Sequence, residues 1–81
     1  MMHINILAFG IAKDIVGGTS IALDVQEAIS VGELKAQLID QFPDFSKLAS
    51  LALAVNGTYV EDGIILKTND EIVIIPPVSG G

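Results

Sequence analysis

The sequence offers little side-chain chemistry, and its scarcity directs attention to the last two residues. Cysteine is absent, so disulfides, thiolate metal sites and thiol nucleophiles are excluded. His3 is the single histidine and has no second ligand of the usual type within sequence reach. The serines at 20, 30, 46, 50 and 79 lack a Gly-x-Ser-x-Gly context, and there is no second histidine beside His3 from which to build a triad. Gly10, Gly17 and Gly18 lack phosphate-loop spacing, and Asp62, Asp70 and Glu71 lack the calcium-loop pattern. What remains is the Gly80-Gly81 end. A side chain at the last position would block approach to the terminal carbonyl carbon, and glycine leaves it open. Ionised with a pKa of about 3.5, a terminal carboxylate is a poor electrophile and must be activated. ATP-dependent adenylation would supply a leaving group. A persulfide sulfur could then attack to leave a thiocarboxylate, or a lysine amine could attack to leave an isopeptide bond.

Composition narrows the partners. Ten acidic residues face four lysines and no arginine, for a formal net charge of −6. Without a basic face, binding to a phosphate backbone is excluded, and no nucleic-acid partner is expected. An acidic surface favours a basic protein partner and keeps the chain soluble. No run approaches the ~18 apolar residues of a membrane span, and Met1-Met2-His3-Ile4-Asn5 does not open a leader, so a cytoplasmic protein without membrane contact is expected. No resident metal or bound cofactor is expected either. Half the residues are apolar, mostly Val, Ile, Leu and Ala, enough for one aliphatic core in a chain of 81 residues.

The elements that must hold the tail follow from periodicity. Ile4 to Phe9 reads as a first strand closed by Gly10, and Ile11 to Val16 as a short helix ended by Gly17-Gly18. Thr19 to Val25 alternates, with Ile21, Leu23 and Val25 on one face, and returns antiparallel to the first strand. Ser30-Val31-Gly32-Glu33 is a capping box. The helix it opens carries a stripe at Val31, Leu34, Leu38, Ile39 and Phe42, stopped by Pro43. Leu51 to Val55, the Asn56-Gly57 turn and Thr58 to Val60 form a hairpin, and Glu71 to Ile75 is the last strand. This order predicts an α+β protein of the β-grasp type that ubiquitin shares, with one main helix across a mixed sheet of four to five strands. The domain should span 1–76, with a flexible tail over 77–81. Pro76-Pro77 stiffens the exit, Val78 offers an apolar anchor, and Ser79, Gly80 and Gly81 add little volume. From Pro77 onward the extended tail spans about 17 Å, at ~3.4 Å per residue, and could thread a narrow pocket in another protein.

The segment Asp70-Glu71-Ile72-Val73-Ile74-Ile75-Pro76-Pro77-Val78-Ser79-Gly80-Gly81 closely resembles the C-terminal signature of the molybdopterin synthase small subunit family. The likeness extends to Leu7 through Gly17, the Ser30 to Phe42 helix and the Ala54-Val55-Asn56-Gly57 turn. Carriers for thiazole synthesis share the fold and the Gly-Gly end but usually lack the double proline. The resemblance implies a sulfur carrier, not an enzyme on its own. An ubiquitin-activating-like adenylyltransferase would use ATP to activate Gly81 and convert it to a thiocarboxylate. The tail, Pro76 to Gly80, would then enter the large subunit of molybdopterin synthase and deliver sulfur to cyclic pyranopterin monophosphate, building the dithiolene. Family members assemble as heterotetramers. Phe9, Lys13, Tyr59 and Ile75 are the interface candidates that the resemblance supplies. The alternatives are a carrier for a thiazole or tungsten-cofactor pathway and a lysine-conjugated protein modifier. Two positions depart from the family: Lys13 stands where many members have arginine, and Asn69 stands where glycine commonly precedes the Asp-Glu pair, with a left-handed turn expected there.

Overall fold

A computed structural model of the chain describes residues 1–48 and 51–75. Strand β1 (Met2–Ala8) alternates strictly, with Met2, Ile4, Ile6 and Ala8 buried and His3 and Asn5 exposed. Gly10 ends it at φ 58 and ψ −134, backbone angles essentially reserved for glycine, and turns the chain into α1 (Ile11–Val16). Gly17, at φ 84, caps α1 by donating its N–H to the Lys13 carbonyl at 2.9 Å. Strand β2 (Ser20–Val25) pairs antiparallel with β1 from Met2↔Val25 to Leu7↔Ser20. That register extends β1 two residues before the expected Ile4 start, because Val25 needs Met2 as its partner. Phe9, expected in the strand, lies beyond it and is exposed.

Helix α2 (Val31–Gln41) begins at the predicted capping box: Ser30 Oγ accepts from the Glu33 N–H at 3.1 Å, and Glu33 Oε1 accepts from the Ser30 N–H at 3.0 Å. The segment from Glu61 to Leu66 closes the same helix end. Asp62 and Ile64 carbonyls accept from the Gly32 and Val31 N–H groups at 2.9 and 2.8 Å, and the Leu66 N–H donates to Ile29 at 2.9 Å. The free donors of the first turn are therefore all used within the protein. Lys35 Nζ reaches Asp62 at 2.6 Å on the outside of this clasp.

Val31, Leu34 and Leu38 are fully buried, whereas Ile39 is exposed and Phe42 half-buried. The predicted stripe is thus narrower than expected, since Ile39 sits ~100° round the helix from Leu38. After α2 the chain forms a 3-10 helix, Pro43–Lys47, where a plain stop was expected. Pro43 suits its first turn, the Ser46 hydroxyl donates to the Pro43 carbonyl at 2.7 Å, and the turn drives Phe45 into the core edge-to-face on Phe42, centroids 6.1 Å apart.

Strands β3 (Ala52–Val55), β4 (Thr58–Tyr59) and β5 (Ile72–Ile75) complete one sheet in the order β2-β1-β5-β3-β4. The central pair, β1 and β5, is parallel, and all other pairs are antiparallel. The core lies between α2 and one sheet face: Ile4, Ile6, Leu23, Leu53, Ile72 and Ile74 pack with Val31, Leu34, Leu38, Phe45 and Leu66. This is the β-grasp arrangement that the element order predicted. The boundary expected at residue 76 and the tail at 77–81 lie outside the described residues.

Candidate functional site

The catalytic candidate Gly81 and the tail candidates Pro76, Pro77, Val78, Ser79 and Gly80 all lie outside the described residues. What is described is the platform that precedes them in the chain. Strand β5 runs at the centre of the sheet, in register with β1 through Ala8↔Ile74 and with β3 through Ala52↔Ile75. Ile75, the last described residue, therefore comes out beside the end of β1, where Phe9 follows. Phe9 is 54% exposed and Ile11, on the adjoining α1, is 49% exposed, so apolar surface borders the exit. Lys13 is exposed on α1 and forms no ion pair among the described residues.

The face of the sheet away from α2 is apolar over β5, β3 and β4, whereas its β1–β2 side carries His3, Asn5 and Asp24. Side chains alternate across a strand, so Ile72 and Ile74 enter the core while Val73 and Ile75 point to the other side. Register aligns Leu7, Val73, Ala54 and Tyr59 in one row across four strands, with Ile75 beside Ala52 in the next. Leu7, Val73, Ile75 and Ala52 are half-buried, Ala54 is hidden between Val73 and Tyr59, and Tyr59 is 69% exposed. Phe9, Tyr59 and Ile75 are thereby gathered around one end and one face. Leu7, Val73, Ala52 and Ala54 join them and were not singled out from the sequence. Their signal is the absence of alternation in Ile72-Val73-Ile74-Ile75 and Ala52-Leu53-Ala54-Val55: a strand apolar on both sides has something to cover on both.

Asn56 ties this face together. Its φ of 53 makes the left-handed turn that the Asn-Gly pair predicted. Its N–H donates to the Glu71 carbonyl at 2.8 Å, its Oδ1 accepts from the Glu71 N–H at 2.9 Å, and its Nδ2 donates to Asp70 Oδ1 at 3.0 Å. Asp70 Oδ2 in turn accepts from the Lys67 N–H at 2.8 Å. This turn does not require a left-handed residue at Asn69: the non-glycine residues at positive φ are Ala28 and Asn56 among the described residues. The Asp70 carboxylate closes the turn instead.

His3 is exposed on β1. Its Nδ1 meets Asp24 Oδ1 at 2.6 Å across the β1–β2 pair, both side chains largely exposed, and the described residues contain no cluster of three ligating side chains. A concavity of about 590 Å³ between β2 and α2 contains Asp24 and Glu33, but His3 holds the first, and Ser30 and Gln26 hold the second. Hydrogen bonds from the Ser30 N–H, the Ser30 hydroxyl and Gln26 keep the Glu33 carboxyl below its ordinary pKa of 4.5. Among the described residues, no helix is long and apolar enough to cross a membrane.

Comparison with known proteins places this platform. The family model described as the ThiS family matches residues 6–81. The chain belongs to the ThiS family. A molybdopterin synthase sulfur carrier subunit of Dictyostelium discoideum is 38% identical over 82 residues, covering 95% of this chain and 94% of the relative. One of Arabidopsis thaliana is 31% identical over 81 residues, covering 99% and 84%. Subunits 1 and 2 of the molybdopterin-converting factor of Helicobacter pylori have been solved as a complex, and a chain of it matches at TM-score 0.66 with 25% identity, covering 99% and 100%. The small archaeal modifier protein 1 of Haloferax volcanii matches in fold at TM-score 0.82 with 21% identity, covering 96% and 100%. The resemblance drawn from the tail and helix is thus matched by relatives over nearly the whole chain.

Proposed function

We propose that this chain is the sulfur carrier subunit of a molybdopterin synthase, with Gly81 as the site of sulfur attachment. The observation that carries the reading is the 31% and 38% identity to sulfur carrier subunits over nearly the whole chain, joined to a central strand whose last described residue, Ile75, lies at the edge of an apolar face. In the first step the Gly81 carboxylate attacks the α-phosphorus of ATP on an adenylyltransferase partner, releasing pyrophosphate and forming the acyl-adenylate. A persulfide sulfur then displaces AMP, and reductive cleavage of the resulting acyl disulfide by a thiol leaves the thiocarboxylate. The chain itself supplies no acid, base or metal to these steps. Its own contribution is a terminus of small residues and a face on which a partner can seat.

The large synthase subunit is the second partner. It would cover Tyr59, Val73 and Ile75 while the tail enters its pocket, where the sulfur passes to cyclic pyranopterin monophosphate and a carboxylate returns. Apolar cover of this kind suits a strand that is apolar on both sides. Intact mass of the protein from its native cells tests the reading: an oxygen-for-sulfur exchange at Gly81 is expected, and deletion of Gly81 should abolish it while leaving far-UV circular dichroism unchanged. A branched lysine adduct would make the chain a modifier instead. An unmodified terminus under sulfur-replete conditions, with the activating partner present, would overturn the proposal.

A further inference from the structure

Tyr59 is the most exposed residue of the apolar face, and it sits on its least secure strand. Strand β4 has two residues, pairs with β3 alone through Ala54↔Tyr59 and Val55↔Thr58, and is an edge of the sheet. The next ladder contact, from the Val60 N–H to the Leu53 carbonyl, is long at 3.4 Å. Two rungs on one neighbour hold an edge hairpin weakly. The tail leaves from a different strand, β5, which β3 separates from β4. A partner that grips Tyr59 while receiving the tail needs the two strands in a constant relation.

We propose that Asn56 is a positioning residue that fixes the docking side chain Tyr59 relative to the tail strand. Its side-chain amide oxygen stands in for a backbone carbonyl and accepts from the Glu71 N–H, while its own N–H donates to the Glu71 carbonyl, so the hairpin tip gains one further rung directly onto the β5 side. Its amide nitrogen then engages Asp70, whose carboxylate also holds the Lys67 N–H, so the loop leading into β5 is fastened by the same group. Glycine would make the left-handed turn equally well at φ 53, and an Asn-Gly turn is ordinary hairpin chemistry. The clamp onto Asp70 and Glu71 is what glycine lacks. The inference rests on the reading of the open face as the docking surface.

The test separates positioning from plain stability. Asn56→Gly keeps the backbone and removes the side chain. The pair Asn56→Asp with Asp70→Asn restores every hydrogen bond with donor and acceptor exchanged: the new carboxylate accepts from the Glu71 N–H and from the new amide, whose oxygen accepts from Lys67. Amide hydrogen exchange is measured at Val60, with Ile4 and Ile6 as internal references, and affinity for the cognate large synthase subunit is measured by calorimetry. For Asn56→Gly we expect about tenfold faster exchange at Val60 relative to the references and about three- to tenfold weaker binding, the size set by one or two net hydrogen bonds. The exchanged pair should return both to within about twofold. In a Tyr59→Ala background, Asn56→Gly should weaken binding no further, because its effect passes through Tyr59. Unchanged Val60 exchange in Asn56→Gly overturns the inference, as do losses that multiply with Tyr59→Ala. If the wild-type chain fails to bind the large subunit at all, the docking reading falls, whereas the clamp stands or falls on the Val60 measurement.

Discussion

Phe45→Ala removes a side chain that is 2% exposed and lies on a 3-10 turn between α2 and β3. Truncating a buried phenylalanine costs about 3–5 kcal/mol, and the edge-to-face contact with Phe42 places this site within that range rather than below it. A domain of 81 residues has a total stability of about 4–12 kcal/mol, at ~0.05–0.15 kcal/mol per residue, so one substitution removes a large share. With an unfolding entropy of ~2.1 cal/mol/K per residue, about 0.17 kcal/mol/K in all, a loss of ~4 kcal/mol lowers Tm by more than about 20 °C. The chain has no tryptophan, and its one tyrosine is exposed, so urea and thermal unfolding are best followed by far-UV circular dichroism. Phe42→Ala is the control. Its ring is half-buried, and it should cost about half as much. A loss below about 1.5 kcal/mol at Phe45, or a larger loss at Phe42 than at Phe45, would show that the 3-10 turn is surface loop and that its packing is misassigned. Because Phe45 lies on the α2 side of the sheet, partner binding by folded Phe45→Ala should match the wild type.

Two further substitutions probe the start of α2. Ser30→Ala should cost about 1 kcal/mol in urea unfolding, the usual worth of an N-cap side chain. The Glu33 half of the box adds a pH signature. Its folded pKa lies below the ordinary 4.5, so its contribution is present above the unfolded value and is lost as pH falls through the folded one. The stability gap between wild type and Glu33→Gln should therefore be constant near neutral pH and shrink on acidification below 4.5. A gap that grows with acid would mean that the Glu33 carboxylate destabilises the fold. Gly32→Ala sets two effects against each other. Helix propensity favours alanine by up to about 1 kcal/mol, but its Cβ would stand 3.1 Å from Asp62 Cβ. Asp62 cannot retreat freely, because its carbonyl is bonded to the N–H of residue 32 and its carboxylate to Lys35. Loosening that bond costs about 1 kcal/mol with crowding in addition, so a net loss is expected in the urea midpoint. Combined with Asp62→Gly, the same alanine should become neutral or stabilising.

Much of the sheet was legible in local pattern. Alternation marked β1 and β2, the capping box marked the first turn of α2 to the residue, and Asn56-Gly57 marked the hairpin, because each is a short-range rule written in neighbouring residues. The misreadings share a cause. Ile39 fitted the helical stripe yet faces solvent, since how much of a stripe is covered depends on a neighbour distant in sequence. Asn69 looked like a left-handed turn residue until Asp70 proved to close that turn with its carboxylate.

Residue types alone narrowed the chemistry this chain can hold. With no cysteine, no arginine and one histidine, the Gly-Gly end is the reactive candidate, and no folding pattern could add a nucleophile that the composition lacks. Where the last described residue, Ile75, comes out depended on pairings between distant segments. The parallel match of β1 with β5 brings Ile75 out beside Phe9, and the register across β1, β5, β3 and β4 gathers Leu7, Val73, Ala54 and Tyr59 into one row. Residues separated by up to 66 positions meet there, Leu7 and Val73 among them, and strand register between remote segments follows from which faces the core demands, a condition satisfied only when the whole sheet closes over α2.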